Sequence, residues 1–160
     1  MTIGKNLPGA CTDTAMSLNP QELVALGRDV VTRRLEKLGC TVTPPGSRIG
    51  GKLAVETPSG RSVEVFVSTQ RLGGYAFWTK RRFTPAANRF AAIVLLADAE
   101  DPELYLVPST EWRSASRPLT DRPNVGKQSE PEYGISLARS SLPALERYRW
   151  DDDSASNQFR

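Results

Sequence analysis

The sequence predicts an α/β fold, a single domain in which a mixed β-sheet is packed by helices. Three observations carry this expectation. The chain is 160 residues long, enough for one substantial hydrophobic core but not for two. Residues 19–39 have helical periodicity with recognisable ends. Apolar stretches of strand length follow, two of them joined by a turn whose chemistry fixes their register.

Residues 1–18 show no periodicity and are expected to form a flexible arm. In "LNPQELVALGRDVVTRRLEKLGC", Asn19 is a good N-cap, Pro20 suits the first helical position, and Glu22 lies where the helix dipole favours an anion. Leu23, Leu26, Val30, Val31, Leu35 and Leu38 recur at helical spacing, and Gly39 is a natural C-terminal cap. A short apolar piece at 40–43 precedes "PPGSRIGG", a loop by composition.

Two strands lie in "KLAVETPSGRSVEVFVST". Pro58 prefers the second position of a type I turn, and Gly60 supplies the left-handed residue of a three-residue hairpin loop. Such a turn pairs Glu56 with Ser62, Ala54 with Glu64, and Lys52 with Phe66. Leu53, Val55, Val63, Val65 and Val67 then share one face, as a buried sheet requires. Lys52, Ala54, Glu56, Ser62, Glu64, Phe66 and Ser68 share the other.

The next segment, "TQRLGGYAFWTKRRFTPAANR", reads as a glycine-punctuated, basic and aromatic crossing. "FAAIVLLAD" is a strand with both faces buried, and "DPELYLVPS" gives another that ends at Pro108. Residues 113–134, rich in proline, serine and charge, are expected to form a long surface excursion. "GISLARSSLPALERYRW" is expected to contain a C-terminal helix capped by Ser141, with Pro143 in its opening turn and Leu145 and Tyr148 packing inward. The domain thus runs over 19–150, and 151–160 reads as a disordered tail.

Composition excludes several chemistries. The chain has no histidine, which removes serine–histidine and cysteine–histidine catalysis and every histidine-ligated metal site. Its two cysteines, Cys11 and Cys40, lack CxxC spacing, so a structural zinc site is not expected and Cys40 reads as a small buried apolar residue. No run approaches the roughly 18 apolar residues of a membrane span, and the N-terminus lacks a secretory signal's apolar core. A cytoplasmic protein without membrane attachment is the expectation. Net charge is +3, unevenly spread: from Arg48 to Arg89 eight basic residues face only Glu56 and Glu64, giving +6 there against −3 elsewhere. A basic middle of this kind suits a polyanion, and it equally suits an ordinary solvated face.

The order of helix, hairpin "KLAVETPSGRSVEVFVST", "FAAIVLLAD" and "LYLVPS" over about residues 20–110 resembles the restriction-endonuclease-like, or PD-(D/E)XK, superfamily, especially its small bacterial proteins of unknown function. That resemblance implies an aspartate opening the first hairpin strand, then an acid or glutamine and a lysine on the second, together holding a divalent ion that activates water. Position by position, the aspartate slot falls on Lys52, the acid or glutamine slot on Phe66 and the lysine slot on Ser68. Magnesium prefers carboxylate and water oxygens, which these residues do not supply.

The resemblance therefore implies a nuclease-like domain that has lost its metal chemistry and acts by binding, with no catalytic residue and no cofactor. Nucleic acid is the expected partner, with Arg71, Lys80, Arg81, Arg82 and Arg89 meeting phosphates and Trp78 stacking on bases. Phe77, Trp78 and Phe83 are equally readable as core anchors. One alternative is an active magnesium-dependent nuclease with migrated carboxylates, Glu56 and Glu64 on the sheet face and Asp29 approaching from the helix, with Lys52 or Lys80 standing in for the lysine. Another is a protein-interaction module of a bacterial defence or mobile-element system.

Overall fold

Helix α1, Pro20–Lys37, begins and ends as its sequence dictates. The Asn19 Oδ1 accepts from the Glu22 backbone N–H at 2.8 Å, and the Glu22 Oε1 accepts from the Asn19 N–H at 3.0 Å. These reciprocal bonds satisfy donors that helix geometry leaves orphaned. At the other end Gly39 follows the last turn with a φ of +89°. The computed structural model to which this helix belongs describes residues 18–43, 52–97 and 101–160. The expected N-terminal arm apart from Leu18, Cys11, and the loop at 44–51 with Arg48 lie outside those residues.

Strands β1 (Thr41–Thr43), β2 (Lys52–Glu56) and β3 (Ser62–Arg71) form an antiparallel meander. The β2–β3 register is the one the turn dictates: Lys52 lies opposite Phe66, Ala54 opposite Glu64 and Glu56 opposite Ser62. The turn closes with the Thr57 N–H donating to the Arg61 carbonyl at 2.9 Å. After strand β4 (Tyr75–Thr79), strand β5 (Arg89–Leu96) returns parallel to β3, and β6 (Glu103–Pro108) pairs antiparallel with β5. The result is a mixed five-stranded sheet in the order β1-β2-β3-β5-β6. Phe90 to Leu95 are buried on both faces, which explains their unbroken apolar run.

A second sheet corrects two expectations. The crossing segment contains β4, and the excursion at 113–134 contains β7 (Leu119–Arg122) and the first residues of β8 (Glu132–Ser136). These three strands pair as β4-β8-β7. Leu119, Ile135 and Ala76 are buried on its inner side, and the buried Trp112 just before β7 donates its indole N–H to the Gly134 carbonyl at 2.9 Å. An aperiodic-looking segment is thus anchored through a few well-spaced apolar residues.

The C-terminal region also departs from its expected form. "GIS" belongs to β8, and helix α2 is four residues long, Leu142–Leu145, flanked by 3-10 turns. Ser141 makes no capping bond; its hydroxyl meets the Ser136 hydroxyl at 3.2 Å. Pro143 does sit in the first turn, and Leu145 and Tyr148 are buried. The tail expected to be disordered is instead helix α3, Asp152–Gln158, with Asp151 capping it and Phe159 buried at its end. Phe159 packs on Phe90 and Trp150, and this apolar anchor is what a tail reading based on acid and serine content overlooks.

Three layers follow. Val31 and Leu35 of α1, with Ala155 and Phe159, cover the face carrying Val55, Val63, Val65 and Val94. The second sheet covers the opposite face, where Phe66, Ala91, Ile93 and Leu95 meet Phe83, Trp112 and Ile135.

Candidate functional site

The face of β2 and β3 that carries Lys52, Glu64, Phe66 and Ser68 lies on the side of the second sheet, away from α1. Its centre is a carboxylate held by two cations. Glu64 lies opposite Ala54 on β2 and beside Arg89 on β5, so Lys52, two residues from Ala54, reaches it diagonally. Lys52 Nζ is 2.7 Å from Glu64 Oε2, and the Arg89 guanidinium meets Oε1 at 2.6 and 2.8 Å. Burial alone would push the Glu64 carboxyl up. Hydrogen bonds and charge from Lys52 and Arg89 outweigh that effect and hold it below the usual carboxylate range.

Phe66 fills the space beside this pair. It is 3% exposed, its ring meets that of Phe83 edge-on at 5.1 Å, and Lys52 Nζ lies 5.7 Å from its centroid. Ser68 accepts a hydrogen bond from Gln70 Nε2 at 2.9 Å. An ammonium group and a phenyl ring offer a divalent cation no ligand, and one serine hydroxyl is a weak donor set. Together the three residues do not supply the oxygen ligands that a divalent ion needs. Among the described residues there is no group of three or more His, Cys, Asp or Glu side chains placed to hold a metal ion.

The carboxylates of the alternative site are brought together only in part. Glu56 and Glu64 line one open groove of about 470 Å³ along β1, β2 and β3. Asp29 does not join them, because α1 packs on the other side of the sheet. There it pairs with Arg33 at 3.0 Å on the exposed surface of the helix.

Of the expected phosphate contacts, Arg89 is engaged with Glu64, Lys80 pairs with Asp121, and Arg81 makes two bonds to Glu130 at 2.8 and 3.0 Å. Arg71 is exposed at the end of β3, and Arg82 is exposed in the turn after β4. Trp78 is half-buried, with Phe83 at 4.9 Å and Trp112 at 6.1 Å between ring centroids. Phe83 is a core anchor, as expected, whereas Phe77 is not: it is 55% exposed. The acids that engage Lys80 and Arg81 come from β7 and its following turn, remote in sequence, so no local pattern announces them. The alternation in "YAFWT" is the signal that places Phe77 and Trp78 on opposite faces of a strand.

No protein-family model matches the chain, and no curated protein does so at a significant level. Among solved structures, Hjc, a Holliday junction resolvase from Archaeoglobus fulgidus, matches with a TM-score of 0.44 and 11% identity, over 86% of this chain and 98% of its own. No helix among the described residues is long and apolar enough to cross a membrane.

Proposed function

We propose that this chain is a nuclease-like domain whose metal-binding and lysine positions have been replaced, and that it acts by binding nucleic acid. The observation that carries the reading is the Lys52–Glu64–Arg89 cluster beside a buried Phe66. A lysine lies across the strand pair from a phenylalanine at the positions where a nuclease hairpin would juxtapose metal ligands. The ammonium and guanidinium satisfy the nearby acid without a metal. The mixed sheet, an antiparallel hairpin followed by a strand parallel to β3, supports the nuclease-like resemblance on which those positions rest. The basic segment supports a polyanionic partner.

One observation favours a second reading. Glu56 and Glu64 share an open groove, so a metal that displaced Lys52 from Glu64 would find two carboxylates there. A single experiment separates the two. Purified protein is titrated with labelled single- and double-stranded DNA and RNA, with magnesium or manganese present, across a salt series. Binding that weakens steeply with salt and leaves the strands intact is expected. Metal-dependent cleavage abolished by Glu64→Gln would establish the second reading, and absence of binding to every strand would remove the first.

A further inference from the structure

The three-stranded sheet has an outer face, turned away from the five-stranded sheet, on which Phe77 stands exposed. Tyr75 and Phe77 of β4, Gly134 of β8, and Thr120 and Arg122 of β7 point to that side, while Ala76, Trp78, Tyr133, Ile135 and Leu119 alternate inward. Phe77 is 55% exposed. Its ring lies beside that of Tyr75, with centroids 6.0 Å apart and planes 21° from parallel. Gly134 makes this arrangement possible, because a Cβ there would collide with the Tyr75 hydroxyl and ring. Tyr75 therefore lies down across the strands, its hydroxyl at Thr120 and, at 3.3 Å, at Glu132. The Arg122 guanidinium sits 4.4 Å from its ring centroid.

Charge around this face is asymmetric. Its carboxylate, Glu132, is engaged by the Tyr75 hydroxyl and Arg122, and Glu130, just before β8, is paired with Arg81. Arg82, Arg117 and Lys127 are exposed and form no ion pair among the described residues. Arg117 lies in the turn that enters β7, joined to Pro118 by a cis peptide bond, and Arg122 ends the strand. Flat rings with neighbouring cations suit a polyanion that presents planar faces. A duplex hides its base faces in the stack, whereas a single strand offers them.

We propose that the outer face of β4, β8 and β7 is a platform for single-stranded nucleic acid, with Phe77 stacking on a base and Arg117 and Arg122 meeting phosphates. This rests on the nucleic-acid-binding reading above and gives it a location away from the Lys52–Glu64–Arg89 face. Tyr75 acts as a positioning residue, fixing the plane beside which Phe77 presents its ring.

The test is fluorescence anisotropy of the full chain with labelled oligothymidine, its RNA equivalent and a blunt duplex, over a salt series. Single strands are expected to bind more tightly than duplex. Phe77→Ala should weaken single-strand binding about tenfold or more, with Phe77→Trp retaining it and melting temperature unchanged in both. Arg117→Gln with Arg122→Gln should make the salt slope shallower by roughly 1.4, the loss of two phosphate contacts on a single strand. Arg33→Gln, on the outer surface of α1, should bind as the native chain does. Ultraviolet cross-linking should map to the peptide carrying Phe77. If nucleic acid binds but Phe77→Ala and the double arginine variant leave affinity and salt slope unchanged, the platform is wrong while the broader reading stands. If no strand binds, both fall. Self-association of the chain that Phe77→Ala abolishes, without oligonucleotide binding, would assign the face to a second copy and overturn the proposal.

Discussion

A carboxylate between two cations makes a specific demand on pH. Glu64 is held below the ordinary glutamate value, near 4.3, because Lys52 and Arg89 favour its charged form more than burial disfavours it. A depressed folded-state value means that the contribution is fully present above the unfolded value and is lost as pH falls through the folded one. Glu64→Gln should therefore lower melting temperature most at pH 6–7, by the linkage argument. The difference from the native chain should narrow once pH falls below the unfolded value and close beneath the lower folded one. Thermal scans of both proteins over that range check this, and a gap that persists unchanged in acid would show that the carboxylate is not stabilised by its charge. Phe66 sets a second constraint on the same face. Putting a glutamate there to recover a metal ligand would bury a charge against Phe83, so restoring such chemistry requires repacking of the core and not a single substitution.

At the scale of elements, α1 approaches β3 closely enough that one position admits no side chain. A Cβ at Gly27 would collide with Thr69 Oγ1 and would also lie 3.2 Å from Thr69 Cβ. On an exposed helix, Gly→Ala stabilises by about 1 kcal/mol. Here overpacking should win, and Gly27→Ala is expected to destabilise by about 1–3 kcal/mol in a denaturant titration. Thr69 Oγ1 is buried without a hydrogen-bond partner, so Thr69→Ala removes both the obstacle and an unsatisfied polar atom. The double variant should recover part of the loss, and strict additivity would refute the contact. Legibility also divides by element. The hairpin can be read to the residue because Pro58 and Gly60 fix a turn and the valines fix a face, two independent signals that agree. β4, β7 and β8 cannot, because each is four or five residues long and their pairing is set by contacts far apart in sequence. Lys52, Phe66 and Glu64 are placed on their face by that hairpin. The pairing of Glu64 with Arg89 needs the parallel β3–β5 register, which no local pattern encodes.

The whole molecule is closed by its C-terminus. After Tyr148 the chain runs beside β6, with the Trp150 N–H donating to the Leu104 carbonyl at 2.8 Å and Arg149 reaching Glu103 at 3.2 Å and Glu146 at 2.8 Å. This covers part of an edge strand that would otherwise offer unpaired backbone groups. α3 then turns back over the helical layer, and Arg61, from the end of the hairpin turn, donates to the carbonyls of Gln158 and Arg160 at 3.1 Å each. Arg34 of α1 meets Asp152 at 3.3 Å. Polar contacts at this exposure each contribute little, on the order of 1 kcal/mol or less. Burial of Phe159 contributes more, because its ring is 1% exposed between Phe90 and Trp150. Phe159→Ala should cost about 3–5 kcal/mol. For a chain of this size that lowers the melting temperature by roughly 10 °C. Deleting residues 151–160 should cost at least as much and raise dye binding to the exposed Phe90–Trp150 surface. Melting temperatures unchanged by either alteration would mean that the C-terminal segment is not part of the core, and the helical layer would then rest on α1 alone.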